Sequence, residues 1–172
     1  MSMDKEGAME TALRDLADRT DAQLGALRLL SFKFEVQHMM LAGGRNVWFD
    51  ETALELEDAI MAVRDAEAPF RTALARAAGA LGLEVSATLG EVAEVSPEPW
   101  SYIFDQGRQE LRQLALDVQA QCNDNRKLLA RGHLATTQAL QLLGIDTSPA
   151  YDARGGLDVG HRGSVNLLNA RA

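Results

Sequence analysis

Glu35 and His38 are the pair of residues whose spacing in this sequence best fits metal chemistry. Three residues apart on a helix, a glutamate and a histidine share a face, and di-iron four-helix proteins combine two such pairs with two further glutamates. The second pair is missing here, because Ala130 stands where the glutamate before His133 would be. We therefore expect no metal and no cofactor, and keep a helical-bundle metal protein built on Glu35 and His38 as an alternative.

Cys122 is the only cysteine of the chain. It can form neither an internal disulfide nor a cysteine-based zinc site, so a reducing compartment is the simplest expectation. No histidine stands three or four residues from it to act as a base, which indicates a small packed residue and not a nucleophile. The sequence therefore predicts a binding protein and no enzyme.

A long helix, predicted over about residues 97–143, is the element that would carry Cys122. Ser96 is expected to cap its amino end, and Gly144 is expected to end it. One stripe of residues keeps the 3-4 spacing of a coiled-coil seam along this helix. The stripe consists of Trp100, Phe104, Gly107, Leu111, Leu114, Val118, Gln121, Asn125, Leu128, Gly132, Ala135, Ala139 and Leu142.

The middle and the end of this seam are unusual in composition. Gln121 and Asn125 are polar, whereas Gly132, Ala135 and Ala139 are small. Polar seam residues fix the register of a bundle, and small ones let another helix approach closely. Two interpretations stay open: a register device inside a self-contained bundle, or a seam left under-filled for a client helix.

Apolar residues at helical spacing predict two earlier long helices, at about residues 4–43 and 50–81, and a short helix at 86–94. Asp50 is expected to cap the second helix, and Pro69 to kink it or divide it into two pieces. The stripe expected to be buried in it consists of Leu54, Ile60 or Met61, Phe70, Leu74, Ala77 and Leu81. The fold class predicted is all-α, an elongated antiparallel hairpin or bundle of long helices over residues 1–144, followed by a disordered tail at 145–172.

The chain carries a net charge of −8. An acidic body repels phosphates, which argues against nucleic acid and against anionic membrane surfaces as partners. Seven of the acidic residues fall between Asp50 and Glu67, where Arg64 is the one basic residue, and this run is read as a solvated face. Neither a secretory signal nor an apolar stretch of membrane-spanning length is found, so we expect a cytoplasmic protein.

The order of these elements resembles the FlgN family of flagellar export chaperones. The similarity covers nearly the whole chain: a long first helix with a glycine corner, an acidic second helix, a long last helix and a glycine-containing tail. The stretches that carry it are Leu41-Ala42-Gly43-Gly44-Arg45, Leu54-Glu55-Leu56-Glu57, Asn123-Asp124-Asn125-Arg126-Lys127-Leu128-Leu129, Tyr151-Asp152-Ala153-Arg154-Gly155 and Arg162-Gly163-Ser164.

The resemblance implies a cytoplasmic chaperone that binds the carboxy-terminal helices of hook–filament junction proteins, prevents their premature assembly and delivers them to the export gate. It implies a contact with that gate through Tyr151. The client site that it implies consists of Leu128, Leu129, Leu140, Leu142, Leu143 and Ile145. A structural coiled-coil adaptor without a role in secretion is the second alternative, and the oligomeric state is left open.

Overall fold

Four α-helices make up the fold in the computed structural model, which describes residues 2–44 and 46–143. They are α1 (Ser2–Ala42), α2 (Phe49–Ala80), α3 (Leu89–Val95) and α4 (Trp100–Leu142), with a 3₁₀ turn at Asn46–Trp48. The predicted all-α helical bundle is confirmed. The chain divides into two compact units, Met1–Ala130 (the first unit) and Arg131–Ala172 (the second unit).

In the first unit, α1 and α2 are antiparallel neighbours. Near the turn between them, Lys33 Nζ of α1 lies 2.8 Å from a carboxylate oxygen of Glu55 on α2. At the other end of the pair, Arg76 of α2 lies 3.5 Å from Asp15 of α1. Both ion pairs are at least partly exposed to solvent and contribute little to stability, but they show the direction of the two helices.

The part of α4 in the first unit runs parallel to α1. The Trp100 indole N–H donates to Glu10 over 2.9 Å, and the Asn125 amide donates to Gln37 over 3.1 Å. Residue numbers therefore increase in the same direction along both helices. Since α2 is antiparallel to α1, the three long helices alternate in direction along the chain. The antiparallel arrangement predicted for consecutive long helices is therefore correct, with α3 as the connection that lets the chain turn back.

Two hydrophobic clusters form the core of the first unit. The buried side chains that α2 adds to these clusters are all alanines. Because alanine is small, α1 and α4 can pack close to the backbone of α2. The largest fully buried side chain is Phe104 of α4. The first cluster consists of Leu13, Leu16, Ala73, Ala77, Ala78, Leu89, Val92, Ala93 and Phe104. The second consists of Leu30, Phe34 and Ala59, with Val118 and Cys122 among the half-buried residues packed against it.

A capping box starts the short helix α3. The hydroxyl of Thr88 accepts from the backbone N–H of Glu91 at 3.3 Å, and the carboxylate of Glu91 accepts from the backbone N–H of Thr88 at 2.7 Å. The backbone and hydroxyl hydrogen bonds from Thr88 lower the pKa of Glu91. Leu89 and Val92 of this helix point inward, as predicted.

Ser96 ends α3 and does not begin α4, so the predicted cap was wrong. Its hydroxyl and its backbone N–H both donate to the carbonyl of Val92, at 2.7 and 3.1 Å. The long helix begins only at Trp100, whose N–H donates to the Pro97 carbonyl over 2.9 Å. The serine was correctly recognised as a helix-end residue, but it satisfies the preceding helix, because two prolines separate it from the next one.

The predicted orientation of the first half of α2 was wrong in part. The helix begins at Phe49, and Asp50 lies inside its first turn without a capping role. Leu54, assigned to the buried stripe, is 63% exposed; of the alternatives Ile60 and Met61, Ile60 is half-buried against the second cluster, whereas Met61 is 50% exposed. The side chains that face the bundle there are Thr52 and Ala59, which are 7% and 1% exposed. Close helix packing places the small residues at the centre of the inward face, with Leu56, Ile60 and Val63 half-buried beside them.

Pro69 lies inside α2, and the helix continues through it without a break, so the alternative of two separate pieces was wrong and the expected kink stays a prediction. Proline has no N–H, and the Asp65 carbonyl therefore loses its donor four residues on. Pro69 and Asp65 both lie on the exposed side of the helix. Water can satisfy the freed carbonyl there, which makes the proline tolerable at this position.

Gly107 of α4 is buried against Thr20 of α1, and its replacement by alanine is expected to destabilise the fold. A Cβ at this position would lie 2.9 Å from the Thr20 methyl group. Thr20 is 3% exposed and its hydroxyl donates to the Leu16 carbonyl, so the methyl cannot turn away freely. We expect Gly107→Ala to lower the free energy of unfolding by about 1–3 kcal/mol, measured by urea titration.

Two further variants test this steric explanation of Gly107. Thr20→Ser removes the opposing methyl and keeps the hydroxyl, so it should restore most of the stability lost in Gly107→Ala. Gly25→Ala is the matched control, because no atom lies within 4 Å of a Cβ added at Gly25. It should raise stability by up to about 1 kcal/mol through helix propensity. If Gly107→Ala is also stabilising, the close contact with Thr20 does not exist.

Candidate functional site

A buried polar cluster joins α1 and α4 around Asn125, which is only 2% exposed. The Asn125 amide donates to the Phe34 carbonyl at 2.9 Å and to the side-chain oxygen of Gln37 at 3.1 Å. Its side-chain oxygen lies 3.0 Å from Nδ1 of His38. Because this oxygen is an acceptor, the bond requires the proton on Nδ1 of His38. Asn125 thus contacts three polar groups within about one helical turn of α1 and sets the register of the two helices.

Glu35 and His38 are therefore not brought together as a metal half-site. His38 is engaged with Asn125, and Glu35 lies exposed on α1. Within residues 2–44 and 46–143, no group of three or more His, Cys, Asp or Glu side chains is placed to hold a metal ion. Cys122 is half-buried against the second hydrophobic cluster, which agrees with its predicted role as a packed residue.

Of the two interpretations of the polar seam, the contacts of Asn125 support the register device. The neighbouring seam residue Gln121 differs: its side-chain oxygen is buried and accepts no hydrogen bond from the described part of the chain. Large side chains fill the seam before it, where Phe104 is buried and Leu111, Leu114 and Val118 are half-buried. The first part of α4 is therefore core, as predicted.

Replacing Asn125 with alanine is expected to lower the free energy of unfolding by about 1–3 kcal/mol, because Gln37 and His38 lose their buried partner. Urea denaturation followed by circular dichroism measures this loss. Asn123→Ala, two residues earlier on the exposed side of α4, is the matched control and should change stability by less than about 0.5 kcal/mol. Equal effects of the two substitutions would show that the cluster has no structural role.

The leucines expected to bind a client differ in exposure. In the first unit, Leu128 is half-buried and Leu129 is 40% exposed. In the second unit, Leu140 is half-buried, whereas Leu142 and Leu143 are 90% and 74% exposed. Ile145 and Tyr151, the remaining predicted contacts, lie outside the described residues.

The part of α4 in the second unit is exposed at nearly every described position. Leu134 is 58% exposed, and no atom lies within 4 Å of a Cβ added at Gly132. Ala139 stands three residues before Leu142 and four before Leu143, so these three side chains share a helix face. An amphipathic segment with exposed leucines beside small residues can accept the apolar face of another helix.

A second apolar surface, on the outer side of α1, was missed in the sequence. Leu29, Phe32 and Met39 are 44%, 54% and 60% exposed, with half-buried Val36 between them. Their 3-4-3 spacing was visible, but it interleaves with the spacing of the core residues Leu30 and Phe34 on the same helix. One α-helix can carry two apolar stripes, and periodicity alone does not tell which one is covered.

The fold and these surfaces define a class of all-α helical bundle with apolar helix faces exposed to solvent. Compared with known proteins, the chain matches no family model, and neither a search of curated proteins nor one of solved structures finds a significant match. In residues 2–44 and 46–143, no helix has a stretch both long and apolar enough to cross a bilayer.

Proposed function

We propose that this protein is a cytoplasmic export chaperone of the FlgN type, which binds the carboxy-terminal helices of hook–filament junction proteins and delivers them to the flagellar export gate. The single observation that carries the proposal is the exposure of Leu134 and Leu142 on the second-unit part of α4 and of Leu143 directly after it. Exposed leucines on a helix are costly in water, and a helical client would cover them.

The mechanism follows from the contrast between packed and exposed parts of the chain. The first unit supplies a bundle with its own core, held by Phe104 and by the Asn125 cluster. The exposed leucines of the second unit provide the anchors at helical spacing that an apolar client helix would meet. While bound, such a client helix cannot pair with its assembly partners, which is what a chaperone of this type requires. Small neighbours such as Gly132 and Ala139 keep the contact area modest, so the client can be released.

Co-expression with the carboxy-terminal segment of a junction protein, followed by size-exclusion chromatography, tests the proposal. The two chains should co-elute, and hydrogen exchange in residues 131–143 should slow when the client is present. Failure to co-elute, with both chains folded, would overturn the chaperone function.

A structural coiled-coil adaptor is the competing function, favoured by the apolar stripe of Leu29, Phe32 and Met39 on α1. Such an adaptor predicts a stable homo-oligomer through this stripe and no gain of order when a junction-protein helix is added. The molar mass measured by light scattering on the wild type and on Phe32→Gln distinguishes the adaptor from the chaperone. An oligomer that dissociates in Phe32→Gln, together with no client binding, would favour the adaptor.

A further inference from the structure

Two exposed apolar residues stand in line on the outward face of α2. Leu54 and Met61 are seven residues apart, so they lie on the same side of the helix, and they are 63% and 50% exposed. This side is opposite to the one that Thr52 and Ala59 bury in the bundle. No pairing within the first unit explains why a leucine and a methionine occupy these positions.

Acidic residues alternate with these apolar residues in a regular way. Glu51, Asp58 and Asp65 are also seven residues apart and interleave with Leu54 and Met61 at 3-4 spacing. Glu57 and Asp50 flank the same face. Within the described residues, none of these five carboxylates lies within 4.0 Å of a basic group, in contrast to Glu55 and Glu67. The face thus offers an apolar line inside a strongly negative field.

We propose that this face of α2 binds a basic amphipathic helix of a partner protein, with apolar residues at heptad spacing and lysine or arginine beside them. The seven-residue spacing of Leu54 and Met61 fits the repeat of a helix laid along α2. The carboxylates on both sides fit basic side chains flanking the apolar residues of the partner.

Charge also excludes the two occupants that the chain itself could provide. A second copy carries the same net charge of −8 and would place acidic residues against acidic residues. The carboxy-terminal segment after Gly144 has three aspartates and three arginines, so it has no net positive charge to match this face. The partner is therefore a different, basic protein segment. This surface is separate from the leucines of the second unit, and its occupancy does not depend on the chaperone function proposed above.

The probe for the test is a synthetic helical peptide of about three heptads with leucine at the core positions and lysine beside them. Wild-type protein should bind it, with affinity falling as salt increases. Neutralising three carboxylates together (Glu57→Gln, Asp58→Asn, Asp65→Asn) should weaken binding about tenfold or more and flatten the salt dependence. The pair Leu54→Gln and Met61→Gln should weaken it about tenfold and leave the salt dependence intact.

A matched control separates the face from the overall charge. Asp18→Asn, Asp21→Asn and Glu35→Gln change the net charge equally on exposed positions of α1 and should leave binding within about twofold. Phe32→Gln removes an exposed apolar residue of α1 and should likewise have no effect. All changed residues are exposed, and circular dichroism confirms folding. Hydrogen exchange should slow within residues 50–68 on binding.

Several results would overturn the proposed surface. They are a wild type that does not bind the peptide, an equal loss in the α1 control, equal binding of a peptide with glutamine in place of leucine, and protection confined to residues 131–143. The last of these would assign the peptide to the client surface instead. Because the chaperone function is tested with a junction-protein helix and the leucines of α4, either proposal can fail while the other stands.

Discussion

Replacing Phe104 with alanine is expected to lower the free energy of unfolding by about 3–5 kcal/mol, because it is the largest fully buried side chain among the described residues. Phe104 is 0% exposed and belongs to the core cluster that joins α1, α2, α3 and α4. Its ring also stacks with Trp100, with centroids 6.0 Å apart, so the substitution loses an aromatic contact as well as buried area. Since small domains are stable by about 5–15 kcal/mol, the variant should be largely unfolded in mild urea.

The matched control for this prediction is Tyr102→Ala, two residues away on α4. Tyr102 is 64% exposed, so its removal deletes an aromatic ring of similar size without opening a cavity. It should change stability by less than about 0.5 kcal/mol. Similar midpoints of urea unfolding for the two variants would mean that α3 and α4 do not pack around Phe104 as described.

The helices themselves could be predicted from the sequence because their signals are local. Uninterrupted apolar periodicity and the glycine corner at Gly43-Gly44 placed α1 and α2 within a few residues of their observed bounds. The caps were less accurate. Ser96 could cap the helix before it or the helix after it. In the structure it caps α3, because it bonds the Val92 carbonyl, and Pro97 and Pro99 separate it from α4. That choice depends on the three-dimensional path of the connection.

The inward face of the second half of α2 was predicted, since Ala77 is buried, but that of the first half was predicted only in part. Area burial alone favours Leu54 as core. The bundle instead buries Thr52 and Ala59 there, since small residues allow the backbones of long helices to approach. The packing of the helices, and not the sequence of α2 alone, decides which face of α2 is buried.

The role of Asn125 in the candidate site likewise could not be predicted from the sequence alone. Its position in the seam predicted a register device or a client contact, and the sequence did not distinguish between them. The distinction lies in the partners on α1, where the Phe34 carbonyl, Gln37 and His38 satisfy the side chain completely. Partners about ninety positions away in sequence cannot be identified from helical spacing. The same contact gives His38 of the Glu35-x-x-His38 motif a partner that helical spacing could not reveal.

Replacing Leu142 and Leu143 together with glutamine is expected to weaken client binding by a factor of about 30–1,000 and to leave the fold unchanged. Both side chains are exposed, at 90% and 74%, so neither contributes to a core in the free protein. Glutamine has nearly the helix propensity of leucine, and the substitution therefore removes apolar contact without melting the end of α4. Isothermal titration with a junction-protein carboxy-terminal helix measures the loss, and circular dichroism measures helicity.

The control for the client surface is Leu116→Gln, on the same helix but within the first unit. Leu116 is 54% exposed, so it tests whether any exposed leucine of α4 contributes to client binding. It should reduce affinity by less than about threefold, because it is not one of the leucines of the proposed client site. If Leu142→Gln and Leu143→Gln instead lower the urea midpoint, these leucines are part of a packed core. The under-filled seam would then be a structural feature of the bundle, and the client would have to bind elsewhere, with the apolar stripe of α1 as the next surface to change.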